Sequence, residues 1–328
     1  MTARVLTVTP KAPDADVIAE AAAVLRAGGL VAFPTETVYG LGANALDETA
    51  VRRIFSAKGR PDFNPLIVHV ADADKARELV TAWPEQATLL AERFWPGPLT
   101  LVLPKKQVVP DAVTAGLGAV GIRVPAHPVA LALLRAAELP VAAPSANRFT
   151  ELSPTSAEHV LKTLADKVDL VLDGGPTAVG IESTVLDLSG DTPRLLRPGM
   201  VSQAELEAAI GAIGGPPVVA PGAARLSPGM TERHYAPRAK VVLTDADAWP
   251  EHLAECYDQL SGALILGDEM WAVAHPMRMP IDPVAYAARL YAALHALDDL
   301  GCQVVLVEMP PADVEWAGVR DRLVRASS

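Results

Sequence analysis

The stretch from Phe55 to Val70, FSAKGRPDFNPLIVHV, places a polar loop directly between a helix and an apolar run. Pro61 disfavours the helical conformation at the residue before it, so the helix must end by Arg60 and the chain continues extended. The run Leu66–Val70 is apolar enough for a buried strand. A helix, a short polar loop and a buried strand are the repeating parts of an α/β fold.

Outward from this stretch, apolar strands alternate with helices through residues 1–210. We expect strands at 30–33, 66–70, 99–103, 120–124, 168–172 and 183–188, and helices at 84–94 and 128–137. Capping boxes are expected at Thr155/Glu158 and at Ser202/Glu205, where a hydroxyl residue precedes a glutamate by three positions. This alternation predicts one α/β domain over 1–210.

Two further segments follow. Residues 211–240 are crowded with Gly and Pro and have no periodicity, which is typical of a linker. Strands are expected at 241–243, 263–266 and 304–307, and helices at 252–260, 285–297 and 319–325. Strand–helix–strand alternation predicts a smaller parallel α/β domain over 241–328.

The composition excludes several classes. The 328 residues include 28 basic and 39 acidic side chains, for a net charge of −11, which disfavours unspecific binding to nucleic acid. Cys256 and Cys302 are too few and too far apart for a disulfide framework or a structural zinc site. No signal peptide and no run of about 20 apolar residues is present, so we expect a cytoplasmic protein.

Lys58 and Arg60 are the first candidate ligand contacts. Residues two apart in an extended chain point the same way, and Gly59 would let a ligand approach the backbone. Two adjacent cations suit a polyphosphate, but basic residues are also common at a solvated helix C-terminus. The local pattern leaves both interpretations open.

Polar residues also close other apolar runs. Ser145 and Asn147 follow Leu139–Ala143 and are either donors to a ligand or ordinary turn residues. Arg123 and Arg197 are embedded in apolar strands and need a partner, which is either a ligand or a structural carboxylate. A lone histidine in a strand, such as His69, is by default a core residue.

The linker carries more polar and aromatic residues than a spacer needs, in Ser227–Met230 and Arg233–Pro237, and this favours a lid. The standard phosphate-binding loops, GxxxxGK[ST] and GxGxxG after a strand, do not occur. The seven histidines lack metal-ligand spacing, so no protein-held metal is expected. No GxSxG motif occurs, which makes a hydrolase with that nucleophile motif a weaker interpretation.

Taken in order, the motifs resemble one family. Lys58-Gly59-Arg60 with Ser145-Ala146-Asn147 is similar to the KxR…SxN signature of the YrdC family, the threonylcarbamoyl-AMP synthases. The similarity extends to residues 34–41, 64–69, 95–100, 123–125 and 196–199, and the linker and trailing domain resemble the long two-domain form. The resemblance implies a twisted, open mixed α/β sheet with a concave basic cavity, followed by a smaller Rossmann-like α/β domain.

The resemblance also implies a reaction. L-threonine and bicarbonate form a carbamate that attacks the α-phosphate of ATP, and the product supplies the machinery that transfers the threonylcarbamoyl group to tRNA. We expect ATP to be bound by Lys58, Arg60, Asn64, Ser145, Asn147, Ser153, Arg197, His234 and Tyr235. We expect L-threonine and bicarbonate to be bound by Thr35, His69, Arg123, Ala143 and Ser183. Mg²⁺ would arrive with ATP, and contact with tRNA itself would be weak.

Two departures and two rivals remain. Thr231-Glu232 differ from the residues usual in the family's linker, so the contacts of the lid are expected to differ here. Trp316–Val319 replace a glycine-rich stretch that is common near the family's C-terminus. A carbamoyl-adenylate-forming enzyme of the hydrogenase-maturation type is an alternative, although such proteins resemble longer chains with zinc-finger cysteines. An RNA-binding module is the alternative from another class, and the acidic charge disfavours it.

Overall fold

The computed structural model describes residues 3–215, 234–267 and 272–328 of the chain. Residues 3–215 contain strands β1 (Arg4–Thr7), β2 (Val31–Pro34), β3 (Tyr39–Asn44), β4 (Ile67–His69), β5 (Leu99–Pro104), β6 (Ala119–Arg123), β7 (Val141–Ala142), β8 (Leu170–Asp173), β9 (Thr184–Asp187) and β10 (Arg194–Arg197). They also contain helices α1 (Ala15–Arg26), α2 (Glu48–Lys58), α3 (Ala73–Arg77), α4 (Glu85–Phe94), α5 (Asp111–Thr114), α6 (Pro128–Ala137), α7 (Ala157–Leu164) and α8 (Gln203–Ile210).

The ten strands form one open mixed sheet in the order β1-β8-β2-β3-β7-β4-β6-β5-β9-β10. The sheet contains parallel pairs, such as β1 with β8 and β5 with β9, and antiparallel pairs, such as β2 with β3. Helices cover both faces, because α1 and α6 pack on each other over one apolar layer and α2 and α4 contribute to another. The predicted α/β class with a twisted, open mixed sheet is confirmed.

Local signals explain most helix ends. Asp14 accepts from the amides of Asp16 and Val17 and caps α1. The capping box of Ser202 and Glu205 is confirmed at the start of α8. The box at Thr155 is wrong by one residue: Ser156 caps α7, and the Thr155 hydroxyl pairs with the His159 ring instead.

The second α/β unit contains β11 (Lys240–Thr244), β12 (Ser261–Ile265), β13 (His275–Arg278) and β14 (Val304–Glu308), with helices α9 (Trp249–Glu255), α10 (Pro283–Asp299) and α11 (Ala317–Ser327). Its four strands are all parallel, in the order β11-β14-β12-β13, which confirms the predicted parallel sheet. Helix α9 begins earlier than expected, because Pro250 is favoured in a first turn.

The two units share an apolar cluster. Val38, Leu152 and Ile181 of the first unit are buried together with Leu290 of α10 and Val319 of α11. Two glycines permit this close contact. A Cβ on Gly180, which has φ +81°, would lie 2.3 Å from the backbone oxygen of Ala287, and one on Gly318 would lie 2.9 Å from that of Gly199. The second unit is therefore packed against the loops that precede β9 and follow β10.

Of the expected linker 211–240, the segment 216–233 lies outside the described residues, and with it the Ser227–Met230 motif, Thr231-Glu232 and Arg233. Its described end, from His234 onward, enters the first unit, because the Ala236 amide donates to the Thr150 oxygen (3.0 Å). Of the two segments predicted to form a lid, the described residues include only His234–Pro237. No helix in the described portions of the chain has the length and apolar character required to cross a membrane.

Candidate active site

A cavity opens where the end of β6 and the loops after β2 and β7 meet the loop before β9. Ten of the residues expected to bind substrate line it: Thr35, Arg60, His69, Arg123, Ala143, Ser145, Ser183, Arg197, His234 and Tyr235. Strand β7, which is only two residues long, lies between β3 and β4, so Ala143 and Ser145 leave the sheet at its centre. The strand ends thus concentrate polar groups at one place, as open α/β sheets do at ligand sites.

Lys58 and Arg60 are buried, at 3% and 7% exposure, so the interpretation as a solvated helix end is wrong. The expected extended geometry is also wrong, since α2 continues to Lys58 and Gly59 adopts φ +62°. That left-handed glycine turns the chain, so that Lys58 and Arg60 form hydrogen bonds with different loops. Lys58 Nζ donates to the backbone oxygens of Ser145 (2.5 Å) and Asn147 (2.6 Å).

Arg60 donates hydrogen bonds to backbone oxygens further along its own loop. Its Nε donates to the Asn64 oxygen at 3.2 Å and its Nη2 to the Pro65 oxygen at 2.9 Å. Burial, together with the charge of Arg197, lowers the pKa of Arg60 to about 10. Burial, and then the charge of Arg60, lower the pKa of Lys58 well below its ordinary value. An anionic ligand would relieve this crowding of positive charge.

Four expected ATP contacts do not line the cavity: Lys58, Asn64, Asn147 and Ser153. Asn147 is 1% exposed and its amide nitrogen donates to the Arg148 and Glu151 oxygens, so it shapes its own loop. The Ser153 hydroxyl is fully buried and donates to Glu182. In this structure these side chains organise the wall behind the cavity.

Arg123 is both paired and accessible to the cavity. Its Nη2 lies 2.6 Å from Glu36 Oε1, and its Nη1 donates to the Thr37 hydroxyl at 3.0 Å. The Thr37 hydroxyl in turn lies 2.8 Å from that of Thr35. The structural-carboxylate and ligand-site interpretations of Arg123 are therefore compatible, since Glu36 fixes a guanidinium that still lines the cavity.

On the opposite wall, Arg197 holds Ser183. Arg197 Nε donates to the Ser183 backbone oxygen at 3.0 Å and Nη2 to its hydroxyl at 3.2 Å. The Ser183 hydroxyl also lies 2.8 Å from that of Thr100 on β5, and Arg197 Nη1 lies 3.4 Å from the Tyr235 hydroxyl. Three guanidinium groups, from Arg60, Arg123 and Arg197, thus border one cavity from three separate elements.

His234 lies in the middle of this positive charge. Its ring is 4% exposed and packs edge-on against Phe149, with centroids 5.6 Å apart. Neither ring nitrogen has a hydrogen-bond partner among the residues that the structure describes. Burial, followed by the charges of Arg60 and Lys58, lowers the pKa of His234 well below its ordinary value. The ring is therefore neutral in this environment.

His69 is another buried, neutral ring, with 4% exposure. Burial, and then the charge of Arg123, lower its pKa from 6.5 to about 3. His69 therefore binds a proton near pH 6.5 in the unfolded chain but stays neutral at that pH in the folded chain. The stability that neutral His69 contributes is present above pH 6.5 and is lost as the pH falls toward 3.

We expect His69→Gln to make the free energy of unfolding depend less on pH below pH 7. Between pH 7.5 and pH 5, wild type should lose about 2 kcal/mol more free energy of unfolding than the variant. Urea denaturation of both proteins across that pH range measures the difference. Parallel profiles would contradict the assignment of a neutral, buried imidazole.

Sequence reasoning missed Glu182, which lines the cavity at 7% exposure. It directly precedes Ser183, and its position in the apolar run Ile181–Leu188 was the available signal. The argument that a buried charge needs a partner, applied to Arg123 and Arg197, applies equally to this carboxylate. Its partner is Arg322 of α11, whose Nε lies 2.7 Å from Glu182 Oε2.

The cavity offers no cage for a resident metal ion. Within residues 3–215, 234–267 and 272–328, no group of three or more His, Cys, Asp or Glu side chains could hold one. Glu182 already accepts hydrogen bonds from Ser153, Tyr291 and Arg322.

Comparison with known proteins identifies the fold. Residues 23–199 match the family described as "Telomere recombination", and residues 201–328 match "Threonylcarbamoyl-AMP synthase, C-terminal domain". A threonylcarbamoyl-AMP synthase of Pyrococcus abyssi is 44% identical over 315 residues, which cover 94% of this chain and 93% of the relative. The chain belongs to the threonylcarbamoyl-AMP synthase family.

Other members of the threonylcarbamoyl-AMP synthase family agree. The Bacillus subtilis threonylcarbamoyl-AMP synthase is 44% identical over 327 residues, covering 94% of this chain and 92% of that protein. The crystal structure of Pyrococcus abyssi Sua5 complexed with L-threonine superposes with a TM-score of 0.93 at 42% identity, covering 98% of this chain and 97% of that one. The expected two-domain form of the family is confirmed.

Proposed function

We propose that this protein is an L-threonylcarbamoyladenylate synthase, which converts ATP, L-threonine and bicarbonate into threonylcarbamoyl-AMP and pyrophosphate. The observation that carries the proposal is the convergence of Arg60, Arg123 and Arg197 on one cavity. Threonine, bicarbonate and ATP all carry negative charge, and a site for all three needs several fixed cations. The similarity to threonylcarbamoyl-AMP synthases over nearly the full chain supports the same reaction.

The chemistry needs no covalent nucleophile from the protein. The threonine amine adds to bicarbonate with loss of water, and one oxygen of the resulting carbamate attacks the α-phosphorus of ATP. The bond from that phosphorus to the bridging oxygen breaks, and pyrophosphate leaves with the electron pair. The protein aligns the reacting groups and neutralises their charge, and phosphoryl-type transfers are catalysed mainly in this way.

We assign the two walls to different substrates. The wall of Arg60 and Arg197, with Lys58 behind it, would hold the triphosphate, and His234 and Tyr235 would close over the nucleotide. Thr35, His69, Arg123 and Ala143 would hold threonine and bicarbonate, together with Ser183, which Arg197 bonds where the two walls meet. All of these residues except Lys58 line the same cavity, which supports a shared site for the substrates. Asn64, Asn147 and Ser153 act in this proposal by shaping the triphosphate wall.

Mg²⁺ would enter as the MgATP substrate, since phosphate oxygens and water suffice to bind it. The product would pass to the machinery that transfers the threonylcarbamoyl group to tRNA, and we place the enzyme in the cytoplasm with that machinery. The net charge of −11 keeps any direct contact with tRNA weak.

Pyrophosphate release from ATP by the purified protein tests the proposal. Release should require L-threonine and bicarbonate together, and omission of either should reduce it to the background rate. Mass spectrometry should then find threonylcarbamoyl-AMP as the co-product. Pyrophosphate release that is independent of threonine, or none in any combination, would contradict the proposed reaction.

A further inference from the structure

The second unit contacts the active-site cavity through one buried carboxylate. Glu182 lies on the cavity wall, and its side chain accepts hydrogen bonds from Ser153, from the Tyr291 hydroxyl at 3.1 Å and from Arg322 Nε at 2.7 Å. Tyr291 belongs to α10 and Arg322 to α11. We call Glu182, Ser153, Tyr291 and Arg322 the Glu182 network.

Arg322 makes four side-chain hydrogen bonds, one of them to Asp321 Oδ2 at 2.7 Å. It is 1% exposed, and its Nη2 donates to the Glu182 backbone oxygen at 3.1 Å. Its Nη1 donates to the Pro198 oxygen at 3.0 Å, directly after Arg197, and its guanidinium lies 5.3 Å from the centre of the Tyr235 ring. It therefore touches the chain beside Ser183, the chain beside Arg197 and the aromatic ring of Tyr235.

A negative charge on Glu182, at the centre of the network, is unfavourable in a site that binds ATP. Burial alone would raise the pKa of Glu182, but the charges of Arg322 and then Arg197 outweigh it and hold the pKa below its ordinary value. Glu182 is thus ionised on the wall of a cavity proposed for a triphosphate. An uncompensated negative charge there would repel the nucleotide and would compete with it for Arg197.

We propose that Arg322 is a positioning residue of the active site, which neutralises Glu182 so that this cavity wall presents no uncompensated carboxylate to the nucleotide phosphates. The inference rests on the proposed ATP reaction and gives the second unit a defined part in it. Arg322 acts through Glu182 and does not itself line the cavity. The close contacts at Gly180 and Gly318 bring α10 and α11 near enough for this pairing.

A purely structural tie between the two units would use the same contacts, so the test must separate charge from attachment. Under our proposal, Arg322→Gln leaves Glu182 uncompensated and raises KM for ATP by at least about tenfold. KM for threonine should rise less than KM for ATP, because four of its five proposed contacts, Arg123 among them, lie on the other wall and only Ser183 bonds to Arg197. Arg322→Lys retains the charge and should keep KM for ATP within about threefold of wild type.

The double variant Arg322→Gln/Glu182→Gln gives the decisive result. With both charges gone, the carboxylate on the cavity wall no longer repels the nucleotide, and Asp321, which also pairs with Arg322 at 2.7 Å, keeps Arg325 as its partner. KM for ATP should then return to within about threefold of wild type. Replacing a buried pair as a whole is far less destabilising than removing one partner, so this variant should fold even where the single variant does not. A KM that stays tenfold or more above wild type in the double variant would overturn the proposal.

Lys162→Gln is the matched control. Lys162 of α7 pairs with Asp299 of α10 at 2.5 Å and so also joins the two units, but away from the cavity. Its loss should leave KM for ATP unchanged. A rise equal to that of Arg322→Gln would show that attachment, not charge, sets ATP affinity, and would overturn the inference.

The dissociation constant for ATP, measured by calorimetry without threonine, should follow the same order among the variants. This measurement separates a failure of the proposed reaction from a failure of the proposed role of Arg322. A wild type that binds ATP but releases no pyrophosphate would overturn the reaction while the variants still decide the role of Arg322. A wild type that turns over normally, with equal ATP affinity in wild type and Arg322→Gln, would overturn only the inference.

Discussion

Lys58→Met is expected to lower kcat/KM for ATP by about 100- to 1,000-fold, a loss comparable to removing one fixed donor from a transition state, because Lys58 supplies positive charge behind the triphosphate wall and holds its loop in place. Lys58 is 3% exposed and holds the backbone oxygens of Ser145 and Asn147 together. Methionine fills a similar volume but supplies neither the charge nor these hydrogen bonds. Steady-state pyrophosphate release with saturating threonine and bicarbonate measures the loss.

Stability must be measured beside it, because two buried carbonyl groups lose their partner. Each such group costs about 1–3 kcal/mol when it is left unpaired. Lys75→Met is the control: that lysine is exposed, pairs with Glu78 at 2.9 Å and should change neither activity nor stability appreciably. If Lys58→Met kept full activity, the assignment of Lys58 to the triphosphate wall would be wrong.

Gly180→Ala is expected to cost about 3–5 kcal/mol of free energy of unfolding, at the upper end of single-residue effects. Its φ of +81° strains any residue with a side chain, and the new Cβ would meet the Ala287 oxygen at 2.3 Å and the Ala288 Cα at 2.5 Å. Either α10 moves away or the loop before Glu182 does. Urea denaturation gives the change in stability.

Gly175→Ala separates backbone strain from packing. Gly175 has nearly the same φ, +79°, but a Cβ added there would meet no heavy atom within 4 Å. It should therefore cost only the left-handed penalty of about 1–2 kcal/mol. Equal losses at the two positions would show that the contact between Gly180 and α10 adds nothing to stability.

The alternation of apolar runs was sufficient to predict the fold class, because buried strands and amphipathic helices are local patterns. The pairing of strands distant in sequence was not predictable in this way. Strand β1 pairs with β8, and the two-residue strand β7 lies between β3 and β4. The apolar run Leu139–Ala143 predicts a strand but does not indicate which strands it pairs with. The antiparallel pairs of this mixed sheet depend on such long-range choices.

For the site, residue types indicated the chemistry but not the use of each donor. The sequence shows a hydroxyl at Ser153 and an amide at Asn147, while the structure shows that Glu182 and the loop carbonyls already engage them. It also gives no indication that Glu182 pairs with a residue 140 positions away. Which polar groups are left for a ligand depends on tertiary contacts, and a linear pattern does not contain them.

The apolar cluster that joins the two units limits how freely they can be exchanged. Val38, Leu152 and Ile181 pack with α10 and α11 in one shared core, and the glycine contacts leave no room for a larger residue at that boundary. A chimaera that took residues 3–215 from this chain and the second unit from a distant relative would have to preserve both surfaces at once. We therefore expect the two halves to be inherited as a co-adapted pair and not as interchangeable modules.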